Sequence, residues 1–252
     1  MPAKAKIGAM FDSIAGDYDR LNHVLSLDVD KTWRRKALRL IRPSECHSGC
    51  HSERSEESPD HASFHILDLA CGTGDFAIAI AKALGGDGHV TGVDLSEGML
   101  AVMREKVDKL GLADKISIEQ GDGEDLRFPD DTFDRVTNAF GIRNFEDRPK
   151  GLREALRVLK PGGRLVILEL SRPENKVLRW FYDLYFLNIL PKIGGKVSGQ
   201  KAAYSYLPAS VATFPGKQEF MQTMRDAGFT AVAHKAFTFG ICRMYSGEKP
   251  CQ

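Results

Sequence analysis

Apolar residues along this 252-residue chain change period several times, and the changes mark its elements. Over residues 7–26, Ile7, Met10, Phe11, Ile14, Tyr18, Leu21 and Leu25 recur at helical spacing. A second helix starts near Asp28 and carries Val29, Trp33, Ala37 and Leu40 along one side. From residue 65, short apolar runs alternate with helix-period segments: strand 65–69, helix 75–84, strand 89–93, helix 96–110, strand 115–119. Strand 133–140, helix 147–159 and strand 164–170 continue the series. Such alternation predicts a parallel, doubly wound sheet with right-handed crossovers. Ser96 suits a helix N-cap, Gly111 a helix stop, and Pro161-Gly162-Gly163 a turn. A helix over 217–227 and strands 229–238 and 241–248 then close the sheet with an antiparallel hairpin.

Two stretches break this rhythm. Residues 43–63 are rich in Ser, Glu and His with no apolar period, and read as a poorly ordered insertion. Residues 176–190 are apolar almost all round, with Arg179, Asp183 and Asn188 the exceptions. A helix of that kind is expected to be buried, in the core or a dimer interface, or to face lipid or an apolar ligand. It is too short to span a membrane, and Pro191 with Gly194-Gly195 ends it. The expected organisation is one domain over 1–252. It comprises a helical cap (1–42), the insertion (43–63), a cofactor-binding core (64–171), an apolar lid (172–216) and a closing helix and hairpin (217–252).

Composition narrows the function classes. Hydrophobic content is 42 %, net charge +1 and mean hydropathy −0.27, values of an ordinary globular chain with no electrostatic footprint for nucleic acid. The N-terminus has no sustained apolar core of a secretory signal. Five cysteines in a chain this size point to a reducing cytoplasm rather than a disulfide framework. Cys46, His47, Cys50, His51, His61 and His65 match no standard zinc spacing, so no metal is expected.

The candidate chemistry centres on residues 65–75, HILDLACGTGD. An apolar run leads into Gly72-Thr73-Gly74 and straight into a helix, so backbone N–H groups and a close approach are offered to a nucleotide-like ligand. Gly72-x-Gly74-x-x-Ala77 also satisfies a loose dinucleotide fingerprint. Two features favour S-adenosylmethionine. Asp68 lies inside the strand, where it can meet an amino acid end, and Asp94 closes the next strand, placed to accept from two ribose hydroxyls, with Leu95 beside it. Asp122 in QGDGEDL, after the third strand, is the candidate for the adenine end. Taken singly each Asp suits a solvated loop or cap; together they are similar to the class I methyltransferase pattern.

Two further segments carry a closer resemblance. Residues 18–33, YDRLNHVLSLDVDKTW, are similar to the signature Y-D-x-M-N-x-x-[aliphatic]-S-x-x-x-H-x-x-W, departing at Leu21 (Met is usual) and Asp30 (His is usual). Residues 157–171, RVLKPGGRLVILELS, fit R-V-L-K-P-G-G…E-x-S throughout, and FPDDTFD (128–134) and FGIRN (140–144) look similar too. The chain thus resembles the ubiquinone/menaquinone biosynthesis C-methyltransferases over nearly its whole length except 43–63. The resemblance implies the class I fold, a Rossmann-like, seven-stranded, mostly parallel sheet with helices on both faces. It further implies methyl transfer from S-adenosylmethionine to a ring carbon of a polyprenylated quinol. Demethylmenaquinol is the expected acceptor, with the benzoquinol of the ubiquinone route second. By analogy Thr73, Asp94, Asp122 and Gly123 would contact the cofactor. Some members have Ser where this chain has Ala139, so that hydroxyl contact is lost here.

A ring carbon is a poor nucleophile until an adjacent phenol ionises, so the site needs a base and positive charge. Arg143 is the candidate for charge, Asn144 for orientation, and a water held by Arg143 or Tyr18 for the base; the alternative for Arg143 is a structural salt bridge, with Glu169 orienting the quinol or buttressing it. The expected place of action is the cytoplasm, peripheral at the inner face of the membrane and in transient contact with its surface, as a homo-oligomer or within a biosynthetic assembly. The alternatives are a methyltransferase for another hydrophobic phenol or lipid, and a non-catalytic S-adenosylmethionine-binding subunit.

Overall fold

The computed structural model describes residues 4–26, 28–42, 64–86, 88–185 and 201–251. The insertion with Cys46, His47, Cys50, His51 and His61, the end of the apolar segment from residue 186, and the side chains of Leu21 and Leu25 lie outside the described residues.

Seven strands form one sheet in the order β3-β2-β1-β4-β5-β7-β6: β1 (Phe64–Leu69), β2 (Gly88–Asp94), β3 (Ile116–Gln120), β4 (Phe133–Ala139), β5 (Leu159–Leu170), β6 (Thr230–Phe237) and β7 (Cys242–Glu248). The first five pair in parallel, and β7 runs antiparallel to both β5 and β6. Because side chains alternate across a strand, each strand feeds two cores. Ile66, Val90, Val166 and Leu168 face helices α2 (Val29–Ile41), α3 (Asp75–Leu84) and α4 (Glu97–Lys109). Leu67, Val136, Leu165 and Ile167 face α5 (Arg148–Val158) and the helix over Lys217–Asp226, numbered α8 below.

The chain runs outward from β1 through β2 to β3, then returns to place β4 on the other side of β1. Ligands of open α/β sheets bind at such a switch point, outside the carboxyl ends of the strands. Helix α1 (Lys4–Ser26) lies over that edge, with Ile14 and Ala15 packed on Met99 of α4. Local chemistry fixes the helix starts as expected: Ser96 Oγ accepts from the Met99 N–H (3.2 Å) and Asp147 from the Lys150 N–H (2.9 Å).

Three elements depart from the sequence reading. β5 begins at Leu159 rather than 164, because the Pro-Gly-Gly turn stays in the sheet as an irregularity between Phe133 and Arg135 of the partner strand. Helix α7 (Lys201–Ala212) was not anticipated; it carries Pro208 in its interior. Helix α6 (Lys176–Asp183), capped by Asn175, is not buried all round: Tyr182 is buried while Val177, Trp180 and Phe181 are 64 %, 61 % and 57 % exposed. Its apolar residues divide between an inner wall and an open surface. Among the described residues no helix is long and apolar enough to cross a membrane, and no group of three or more His, Cys, Asp or Glu is arranged to hold a metal ion.

Candidate active site

Two cavities meet at the carboxyl edge of the sheet. The first follows the ends of β1, β2 and β3. After Leu69 the backbone turns through Ala70 and Gly72, both at positive φ (51° and 56°), and Gly74 (φ 81°) starts α3. The Gly72 N–H donates to Asp94 Oδ2 (2.8 Å) and the Ser96 N–H to Asp94 Oδ1 (2.9 Å), so one carboxylate ties the β1 turn to the β2 turn. A carboxylate has about four acceptor sites, so Asp94 keeps capacity for hydroxyl donors.

Asp68, Gly72, Thr73, Asp94, Leu95, Asp122 and Gly123 all line this cavity. Gly74 does not. A Cβ there would sit 2.4 Å from Met103 Cγ, so its lack of a side chain serves the packing of α3 on α4. Asp68 is 1 % exposed; its Oδ1 accepts from Thr137 Oγ1 (2.6 Å), while Oδ2 is buried with no partner. Burial pushes the Asp68 carboxyl up to about 7, against the hydrogen bond from Thr137. Burial also raises the Asp94 carboxyl above its ordinary range.

A lone buried carboxylate oxygen calls for a donor, best a cationic one. With Asp94 ready for hydroxyls and Leu95 and Phe145 as apolar shelves, the lining fits S-adenosylmethionine: an ammonium at one end, a ribose in the middle and a flat base beyond.

Helix α1 reaches into the same edge. Asp12 accepts from Ser96 Oγ (2.5 Å) and the Gly98 N–H (2.9 Å), and Asp19 accepts from Thr73 Oγ1 and Lys106 Nζ. Lys4 Nζ sits 2.7 Å from Asp122 Oδ2 and 2.9 Å from Glu124 Oε2. Ile7, Gly8 and Phe11 of the helix line the cavity from above. Glu124, which the sequence reading passed over, is 3 % exposed and accepts from the Glu146 N–H (2.7 Å), fixing the segment that carries Phe145.

The second cavity, about 440 Å³, is mostly apolar and within the roughly 300–1,000 Å³ of small-molecule sites. Helices α1, α2, α6 and α7, the end of β5 and the turn between β6 and β7 wall it. That turn has three successive residues at positive φ, Thr238, Phe239 and Gly240, and Trp33 Nε1 donates to Thr238 Oγ1 (2.9 Å) to hold it. Phe181 and the 78 % exposed Phe239 stand at the wall and in solvent together.

Arg143 and Asn144 sit in a single 3-10 turn after β4. Arg143 lines the second cavity, but its Nη1 pairs with Glu169 (2.8 Å) and donates to the Phe140 carbonyl, and its Nε donates to Ser210 (3.3 Å). Burial opposes its charge, yet Glu169 holds the guanidinium above its ordinary pKa. The expected positive charge is therefore present and already neutralised by the buttress. Asn144 lines the first cavity, with its Oδ1 taking the Tyr206 hydroxyl (2.9 Å).

Tyr18, Arg34 and Phe140 line both cavities. Phe140, itself at φ 64°, has the Arg34 guanidinium 5.5 Å above its ring. Arg34 escaped the sequence reading; the only local signal was its place four residues after Asp30 on a helix.

Comparison with known proteins accords with this geometry. The sequence pattern of the ubiE/COQ5 methyltransferase family matches residues 2–249. The chain is 48 % identical over 244 residues to the ubiquinone/menaquinone biosynthesis C-methyltransferase UbiE of Geobacter sulfurreducens, covering 97 % of this chain and 88 % of that one. It is 43 % identical to a demethylmenaquinone methyltransferase of Bacteroides fragilis, with 97 % and 92 % covered. A crystal structure of a SAM dependent methyltransferase from Aquifex aeolicus superimposes with a TM-score of 0.55 at 22 % identity, over 74 % of this chain and 82 % of that one. The fold is that of the class I methyltransferases.

Proposed function

The chain belongs to the ubiE/COQ5 methyltransferase family, and from that premise we propose that it methylates a ring carbon of a polyprenylated quinol, with demethylmenaquinol as the acceptor. The observation that carries this reading is the pair of cavities joined at Tyr18, Arg34 and Phe140, one suited to a charged nucleoside and the other to an apolar ring and tail. S-adenosylmethionine, when bound, supplies a methyl group already activated on a sulfonium.

The protein's task is then positioning. Asp68 takes the ammonium of the donor, Asp94 its ribose hydroxyls, and Asp122 with Gly123 its base. Thr73 anchors α1 through Asp19 and so holds the roof over the donor. Arg143 and Asn144 act as positioning residues: Glu169 and Tyr206 fix them, and they fix the wall against which the ring lies. Tyr18 contacts both ligands at the junction. The apolar cavity opens beside exposed Phe239, Phe181 and Trp180, which supports transient contact with a membrane surface from which a long-tailed quinol is drawn.

The test is methyl transfer from labelled S-adenosylmethionine under exclusion of oxygen, with and without a reductant, to demethylmenaquinone and in parallel to the benzoquinone precursor. A quinone has no hydroxyl to ionise and an electron-poor ring. Transfer confined to the reduced form, and faster on the naphthoquinol, is the expected result. Equal rates on the oxidised form would overturn the reading.

A further inference from the structure

The charge of Arg143 is matched by Glu169, and its side-chain hydrogen bonds go to Glu169, Ser210 and the Phe140 carbonyl. A second charged pair stands in the acceptor cavity. Asp30, only 4 % exposed, and Arg34 lie four residues apart on α2, and both line that cavity. Asp30 Oδ1 accepts from Ser26 Oγ (2.6 Å) and Oδ2 from Arg34 Nη1. Arg34 also reaches the donor cavity, and its Nε–H is buried without a hydrogen-bond acceptor. A buried guanidinium with an unmet donor, at the point where the two cavities join, is suited to an oxygen that becomes anionic.

We propose that Asp30 is the catalytic base for the ring hydroxyl and that Arg34 holds the oxygen as its charge develops. The proposal rests on the quinol reading above and specifies the residues that serve it. The hydroxyl proton passes to the Asp30 carboxylate as the ring electron pair forms the new bond to the methyl carbon. The sulfonium–methyl bond breaks with its pair going to sulfur, which becomes neutral. The ring is left as a dienone whose tetrahedral carbon bears both hydrogen and methyl. Loss of that hydrogen as a proton to water, and return of the Asp30 proton to the oxygen, restores the aromatic quinol, so one proton is released overall. A carboxylate is a weak base toward a resting phenol, but positive charge arriving on the attacked ring acidifies the hydroxyl in the transition state.

Other charged groups surround the pair. Lys31 flanks Asp30 on α2; Asp75 of α3 lies 3.6 Å from Arg34 Nη1 and is held by Lys106 of α4. Asp68 acts on Arg34 from β1, and Tyr18, Tyr182, Tyr185 and the Glu169-bound Arg143 share the cavity wall.

The test compares Asp30→Asn and Asp30→His with the unaltered chain, measuring kcat and KM for the quinol against pH and cofactor affinity by calorimetry. Asp30→Asn keeps an acceptor for Ser26 but loses the base. Its kcat should fall by about 100-fold or more, the scale of general-base catalysis, with cofactor affinity within about twofold. Its rate should lose the acid limb seen in the unaltered chain. Asp30→His keeps a proton acceptor, so kcat should recover in large part with the acid limb moved toward about 6.5, and it decides the matter should Asp30→Asn fold poorly. Undiminished kcat in Asp30→Asn, or an acid limb unmoved in Asp30→His, would overturn the assignment. Absence of quinol methylation by the unaltered chain would overturn the underlying reading instead, a result told apart by being independent of Asp30.

Discussion

The donor cavity and the acceptor cavity share three residues yet are built on opposite plans. The donor cavity takes its carboxylates from short windows, 68–75, 93–96 and 121–124, each at the carboxyl end of one parallel strand. Strand geometry and sheet order place them, so spacing along the chain is nearly spacing in the site. The acceptor cavity draws on positions from Tyr18 to Ile241, on four helices and a strained turn, and most of its lining is apolar. Its residues look like core because they are core with one side missing. The charges differ likewise: Asp68 on the donor side has an unmet oxygen, whereas Arg143 on the acceptor side is fully matched. A site that receives a cation leaves a buried anion wanting; on the acceptor side Arg143 is matched by Glu169, and the unmet donor is the Nε of Arg34, where the two cavities join.

The largest expected effect tests that balance. Arg143→Met removes one partner from an ion pair whose side chains are 5 % and 0 % exposed, and should lower stability by about 3–5 kcal/mol in urea denaturation. A loss below about 1 kcal/mol would mean that Glu169 is satisfied without Arg143 and the wall is not held by charge. Next comes Gly74→Ala, which combines a positive φ with a close approach to Met103; about 2–3 kcal/mol should be lost by the same measurement. A near-neutral result would return Gly74 to the ligand-contacting role expected from sequence.

A third prediction sharpens the donor side. Asp68 titrates near 7 in the unliganded chain and would meet the donor ammonium only when deprotonated. Cofactor affinity should therefore fall as pH drops below about 7, approaching tenfold per unit, and binding at pH 6 should release a proton detectable by calorimetry in buffers of different ionisation enthalpy. Asp68→Asn should weaken binding and flatten this dependence. In the unliganded protein the same group acts in the opposite sense. The folded chain holds a proton that the unfolded chain gives up near 4, so this contribution is present in acid and lost as pH rises from about 4 through about 7. The smallest effect is expected from deleting residues 44–62, which fall in the chain between α2 and β1. Stability and turnover should change by less than about 0.5 kcal/mol, since long surface excursions are thermodynamically tolerated. Loss of activity would show that the excursion serves the site.

What was legible follows the same division. Helix 75–84 agrees with its structural bounds, and Asp68 within β1 and Asp94 at the end of β2 stand out by motif alone, because backbone pattern and chemistry coincide there. Helix α7 was missed because Pro208 reads as a breaker and its apolar residues make no stripe. The all-round apolar pattern of α6 leaves burial and contact with lipid or an apolar ligand open; Tyr182 is buried, while Val177, Trp180 and Phe181 stand in solvent. Arg34 was invisible for a different reason: nothing in WRR distinguishes a guanidinium pointing into a cavity from one in water, since only the packing of α2 against the sheet decides it. The sequence offers a salt bridge as the alternative for Arg143 with Glu169 as a possible buttress, and the two pair at 2.8 Å across 26 residues of chain.

Helix α1 has a consequence for the order of events. It roofs the donor cavity through Lys4, Asp12 and Asp19, and through Tyr18 it is also a wall of the acceptor cavity. Ile7, Gly8 and Phe11 of the same helix also line the donor cavity, so a donor entering from that side would have to lift the helix. Lifting it removes a wall from the place where the quinol ring lies. Only after the donor is seated and the helix is back can the second cavity hold its guest. The kinetics should therefore be sequential and compulsory: donor on first, spent donor off last. The spent donor should compete with fresh donor alone, while the methylated quinol competes with neither substrate in a simple way.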